Sequence, residues 1–212
     1  MNLKEKAKKI TAVLKKVYPK AKTELLHSNP FELLIATILS AQTTDKTINK
    51  ITPALFKKYP NPKDLANANL KEVEELIKPS GFYHTKAKNI IETSKKLVEI
   101  FDSKVPDNMD DLIKLNGVSR KTANVVLSNA YGKNEGVVVD THVKRLSYRI
   151  GLTSNTQPEK IEKDLMEIFD RKEWGFISNA LILLGRQICT ARKPLCNKCP
   201  IENLCEKRLT NE

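Results

Sequence analysis

Glycine is scarce in this chain: seven residues in 212, and none before position 81. That scarcity argues against a hairpin-rich sheet and leaves no place for a GxGxxG or GxxxxGK[ST] phosphate loop. Histidine is also rare, and His27, His84 and His142 form no HExxH pair; nor is there a GxSxG elbow. No apolar run approaches the ~20 residues of a membrane span. The start, Met1-Asn2-Leu3-Lys4-Glu5-Lys6, is a charged helix beginning without the apolar stretch of a signal peptide, so a cytosolic protein is expected. Acidic residues are outnumbered, 25 Asp plus Glu against 37 Lys plus Arg, which gives a net charge of +12 and a pI near 9.5. Such an excess on one small protein points to a polyanionic partner, nucleic acid first and a membrane surface second.

What is present is helical periodicity. Ile10, Val13, Leu14 and Val17 mark a first helix closed by Pro19. Phe31, Leu34, Ile35, Ile38 and Leu39 mark a second, with Asn29 as N-cap and Pro30 at its first position. A third follows Asp45 through Ile48, Ile51, Leu55 and Phe56, with Pro53 in its middle. Short pieces near 63–67 and 70–78 lead to a long helix from about His84 to Phe101. Further segments fall near 109–115, 119–131, 141–150, 158–169 and 173–188. The one strand-like run, Val137-Val138-Val139, is too short to anchor a sheet. The pattern predicts an all-α fold.

A shift of 36 residues brings Ile77-Lys78-Pro79-Ser80-Gly81-Phe82 onto Ile113-Lys114-Leu115-Asn116-Gly117-Val118, and Ala87 onto Ala123. Each copy ends a helix, turns at a glycine followed by an apolar residue, and begins a new helix whose alanine permits close packing. Two ordinary corners of a helical bundle fit this pattern. So does a pair of helix–hairpin–helix motifs, whose turn amides and second-helix N-terminus bind a DNA phosphate backbone without sequence preference. The net charge favours the second reading.

All four cysteines fall in the last 24 residues, as C-x6-C-x2-C-x5-C at Cys189, Cys196, Cys199 and Cys205. In a reducing cytosol such clustering indicates metal rather than disulfides. Four thiolates suit a [4Fe–4S] cluster, and zinc is the alternative. Arg192 and Lys193, inside the first loop, are either a phosphate clamp or a solvated basic loop.

The hairpin Leu115-Asn116-Gly117-Val118-Ser119-Arg120-Lys121-Thr122-Ala123-Asn124, then Val139-Asp140-Thr141-His142, then the cysteine pattern, together resemble the endonuclease III family of the helix–hairpin–helix superfamily. The resemblance runs from the first helix to the last cysteine. The family comprises DNA glycosylases with AP lyase activity that repair bases and carry a [4Fe–4S] cluster. The resemblance implies a six-helix lobe over 23–133 and a second lobe made of 1–22 and 134–212 with the cluster. DNA is expected in the cleft between the lobes. It implies that Lys121 is the nucleophile, a residue that by itself reads as a phosphate contact or a solvated lysine. It implies that Asp140 is the catalytic carboxylate, although an Asp before Thr141-His142-Val143 is also a good helix N-cap. Gln42 would enter the space left by a flipped nucleotide, and Phe82 would wedge the opposite strand or else lie in the core of its hairpin. Asp45 would line the pocket or cap the third helix. Gly81, Gly117, Ser119 and His142, with Arg192 and Lys193, complete the expected DNA contacts.

The family's hairpin usually reads Leu-Pro-Gly-Val-Gly, whereas this chain has Asn116 and Ser119; the serine suits an N-cap but restricts close phosphate approach. Duplex DNA with damaged bases or abasic sites is the implied partner, a monomer the expected state, and the cytoplasm, at the nucleoid, the expected location. An adenine glycosylase, a monofunctional mismatch glycosylase and a non-catalytic DNA-binding protein are the alternatives. Lys121 counts against the two glycosylases, and Lys121 together with Asp140 against the non-catalytic protein.

Overall fold

The structure, a computed structural model, describes residues 1–208, so 209–212 of the expected second lobe lie outside it. Its helices are α1 (Leu3–Val17), α2 (Pro30–Leu39), α3 (Asp45–Lys58), α4 (Pro62–Ala66), α5 (Leu70–Ile77), α6 (Tyr83–Ile100), α7 (Met109–Leu112), α8 (Arg120–Ala130), α9 (Thr141–Ile150), α10 (Pro158–Ile168) and α11 (Trp174–Gln187). Among the described residues there is no strand; Val137, Val138 and Val139 are buried but belong to no sheet. None of the described helices is long and apolar enough to cross a membrane.

The chain forms two compact units: Glu24–Gly132, and Met1–Thr23 with the described part of Lys133–Glu212. In the first, α2 is the central rod. Seven of its apolar side chains, from Phe31 to Leu39, are buried, as suits a helix apolar on all sides. Each fully buried leucine or isoleucine there contributes about 1.5–3 kcal/mol. Around it pack Ile48 and Leu55 of α3, Ile90 and Leu97 of α6, and Val126 and Leu127 of α8. Polar side chains fix where these helices begin. Asn29, Thr44, Asn61, Asn69, Asn108 and Ser119 each accept a first-turn amide. In this unit only α6 starts without such a cap; its preceding residue, Phe82, is left-handed.

Three expectations change. Thr44, not Asp45, caps α3, because its hydroxyl accepts the Thr47 amide while Asp45 is already helical. The helix continues past Pro53, with Ile48, Ile51, Thr52 and Leu55 buried. The segment near 109–115 is helical only to Leu112, because Lys114 and Leu115 take the tighter three-residue turns, bonding Asp111 and Leu112. This unit holds seven α-helices where six were expected, α4 and α7 being single turns of five and four residues.

The second unit buries Ile10 and Leu14 of α1, Val143, Leu146 and Ile150 of α9, Ile161 and Leu165 of α10, and Trp174, Ile177, Leu181 and Leu184 of α11. The α9–α11 contact depends on Gly185, where a Cβ would stand 2.9 Å from that of His142. The segment before α9 is fixed by the Val138 amide, which donates to Ser178 Oγ at 2.9 Å. These contacts decide where Asp140 emerges.

Candidate functional site

In the first unit, the turn between α7 and α8 is pinned from below. Leu115 and Val118 are buried, Thr93 Oγ1 donates to the Asn116 carbonyl at 2.8 Å, and Lys96 Nζ donates to the Lys114 carbonyl at 2.8 Å. Gly117 has φ +73°, and a Cβ there would lie 3.0 Å from Asn89 Nδ2 and 3.2 Å from Ile38 Cγ2. Glycine is therefore required both by the backbone and by the close approach of α6 and α2. Ser119 caps α8, accepting the Thr122 amide at 3.2 Å and sharing a hydroxyl contact with Thr122 Oγ1 at 3.1 Å. Lys121 follows in the first turn of α8, exposed. The result is a glycine turn leading into a helix N-terminus, with a primary amine one residue beyond the first helical position.

The turn between α5 and α6 contains Gly81, at φ +65° and ψ 155°, and Phe82, left-handed at φ +49°. Phe82 is 70% exposed, which excludes the core reading. Gln42 is likewise left-handed, φ +55°, and exposed. The loops carrying these two residues are laced together. Thr43 Oγ1 donates to the Ser80 carbonyl, and Lys86 Nζ donates to that carbonyl at 2.7 Å and to Thr43 Oγ1 at 2.9 Å. Asp45, half-buried, begins α3 just beyond Thr44.

In the second unit Asp140 is the N-cap of α9. Its Oδ1 accepts the His142 and Val143 amides at 2.9 and 2.8 Å, and its Oδ2 meets His142 Nδ1 at 3.0 Å. Both side chains remain partly open, 21% for Asp140 and 26% for His142. Capping and chemistry do not compete here, since the cap fixes the direction of a carboxylate that solvent still reaches. The two catalytic candidates, Lys121 and Asp140, thus belong to different units.

The same α9 holds the cysteine loop. Arg145 donates to the Gly185 and Cys189 carbonyls at 3.0 and 2.9 Å, and buried Arg149 to those of Thr190 and Ala191 at 2.8 and 2.7 Å. Cys189, Cys196, Cys199 and Cys205 line one cavity with Ile188, Pro194 and Leu195. Burial pushes the Cys199 and Cys205 thiols up, so ligation must displace protons there. N–H groups already face sulfur, among them Arg149 Nη1 at 3.6 Å from Cys189 and the Lys207 amide at 3.3 Å from Cys205. Among the described residues no group of three or more His, Cys, Asp or Glu is placed to hold a single metal ion. The fit to an iron–sulfur group rests instead on four thiols lining one cavity with N–H donors to sulfur. Arg192 and Lys193 lie exposed on this loop, which closes through Leu195 N to Ile188 O at 3.0 Å and Thr190 Oγ1 to Lys193 O at 2.8 Å.

Sequence reasoning missed Lys86, Thr43, Arg145 and Arg149. A lysine or arginine on an amphipathic helix reads as solvated, and only tertiary packing buries it. The spacing of Arg145 and Arg149, four apart and so on one face of α9, was the one available signal.

These features are those of a helical base-excision repair protein: the model of the HhH-GPD superfamily base excision DNA repair protein matches residues 35–171. The iron–sulfur binding domain of endonuclease III matches residues 189–205, which hold all four cysteines. The endonuclease III of Synechocystis sp. is 52% identical over 95% of this chain and 92% of its own length. Two solved structures, a non-covalent endonuclease III–DNA complex and a trapped endonuclease III–DNA covalent intermediate with an estranged adenine, each superpose with a TM-score of 0.90. Each is 42% identical and covers 98% of this chain and 97% of the other. The chain belongs to the endonuclease III family of that superfamily, DNA glycosylases with AP lyase activity that carry an iron–sulfur binding segment.

Proposed function

We propose that the chain excises oxidised pyrimidines from duplex DNA and then nicks the abasic site, with Lys121 as nucleophile. A target base is buried in the stack, so the nucleotide must first be extruded. The unprotonated amine of Lys121 attacks C1′ and the base leaves with its bonding pair, taking up a proton. The sugar ring opens to a Schiff base, loss of a C2′ proton expels the 3′ phosphate, and water releases the enzyme. Asp140, its direction fixed by two amides and His142, stabilises positive charge developing on the sugar. Gly117 and Ser119 offer turn amides to the phosphate backbone, and Gly81, His142, Arg192 and Lys193 add further DNA contacts. Gln42 and Phe82 enter the duplex and Asp45 lines the base pocket. The four cysteines hold a [4Fe–4S] cluster, whose role is to cross-link four points of the chain; the reaction itself needs no electron. The enzyme acts as a monomer, in the cytoplasm, on nucleoid DNA.

The observation that carries this reading is the exposed Lys121 in the first turn of α8, directly after the Gly117 turn. That a family relative forms a trapped covalent DNA intermediate supports it. Strand cleavage of duplexes containing thymine glycol, an abasic site or an A·G mispair is the test. Nicking of the first two is expected. Action on the mispair alone, or binding to all three without cleavage, would overturn the reading.

A further inference from the structure

Lys86 lies on α6, only 5% exposed, and both acceptors of its ammonium are neutral: the Ser80 carbonyl and Thr43 Oγ1. Burial pushes its amine below the ordinary lysine value. A cation buried on neutral partners costs stability, so what those partners do matters. Thr43 directly follows Gln42, and Ser80 stands two residues before Phe82. Gln42 and Phe82 are two of five non-glycine residues with positive φ among those described. Each such conformation is strained and persists only where the surroundings over-determine it. Lys86 supplies that surrounding at both places. Its amine bonds the Gln42 loop and the Ser80 carbonyl, while its own backbone amide bonds the Phe82 carbonyl at 3.1 Å.

We propose that Lys86 is a positioning residue that ties the Gln42 and Phe82 loops into one preorganised double wedge for opening the duplex. The inference rests on the reading that Gln42 and Phe82 enter DNA. With Lys86 in place the two side chains are held at a fixed spacing before DNA arrives. Without it, the Thr43–Ser80 hydrogen bond alone joins the loops during base extrusion.

Extrusion is read by stopped-flow fluorescence of 2-aminopurine placed beside a tetrahydrofuran abasic analogue in a duplex. Lys86→Met keeps the length of the side chain and removes its donors; Thr43→Val removes the shared hydroxyl and leaves the lysine. Both are expected to slow the fluorescence rise by about ten- to a hundredfold, Thr43→Val no less than Lys86→Met, because it removes both hydrogen bonds that cross between the loops. The salt slope of binding to undamaged duplex is expected to stay unchanged, because a buried amine releases no counterions. If Lys86→Met does not fold, Thr43→Val carries the test. Wild-type extrusion rates in both variants, with Gln42→Ala and Phe82→Ala slowed, would overturn the positioning role. A shallower salt slope in Lys86→Met would overturn it too, by making Lys86 a phosphate contact. Wild-type rates in Gln42→Ala and Phe82→Ala would instead overturn the reading beneath it.

Discussion

After Gly81 the chain places Phe82, left-handed and 70% exposed, whereas after Gly117 it places Val118, 7% exposed and part of the core. The corners share the glycine with positive φ and the fully buried alanine six residues on, Ala87 in one and Ala123 in the other. They part over a single residue. From Gly117 the chain runs through Val118 and an extended Ser119 before α8 begins at Arg120; from Gly81 it enters α6 at Tyr83 after one residue. The extra extended residue turns the apolar side chain inward and supplies a hydroxyl cap. Its lack turns the apolar side chain outward and leaves the helix start uncapped. One corner thus buries its apolar residue and caps its helix, and the other exposes a ring. The shift of 36 also sets Lys121 opposite Thr85, so only the second corner carries an amine at that place.

The largest expected effect tests whether that amine is tied to its corner. Lys121→Gln should reduce nicking of abasic-site duplex to the enzyme-free background. Adding Thr85→Lys should not restore it, although the new lysine also follows a Gly turn. Recovery of nicking would mean that the corners are interchangeable.

Next come the glycines. Gly117→Ala meets both backbone strain and the Asn89 and Ile38 atoms at 3.0–3.2 Å, and should cost about 3 kcal/mol or more in urea unfolding. Gly81→Ala has strain but no atom within 4 Å of its Cβ, and should cost about 1–2 kcal/mol. Equal losses would remove the distinction between a packed turn and an open one.

The residues after the glycines should then divide stability from function. Val118→Ala should cost about 2 kcal/mol of stability. Phe82→Ala should leave stability within about 0.5 kcal/mol while slowing base extrusion. The smallest effect is at the cap. Ser119→Gly should cost a few tenths of a kcal/mol and leave binding to undamaged duplex equal or tighter. Clearly weaker binding with the fold intact would make the hydroxyl itself a phosphate ligand.

Much of this was legible in the sequence because local chemistry decides it. Asn29-Pro30 begins α2 as read, Ser119 and Asp140 cap α8 and α9 as their residue types suggest, and the cysteine spacing marks one metal-binding loop. The shared Gly–apolar pattern announced two corners but not their difference. Whether Phe82 or Val118 turns inward depends on where the next helix starts, which packing determines. The Thr44-Asp45 pair offered two good caps, and only the backbone at Thr44, extended at φ −74° and ψ 145°, decides between them. Lys86 was invisible for another reason: its burial comes from two loops, near residues 43 and 80, that approach only in the folded unit.

The claim that the second corner does the chemistry is tested most directly by locating the covalent bond. The enzyme is incubated with abasic-site duplex, the Schiff base is reduced with borohydride, and the cross-linked peptide is mapped by mass spectrometry. The account predicts the sugar adduct on Nζ of Lys121. An adduct on another lysine, or undiminished trapping by a folded Lys121→Gln protein, would contradict it.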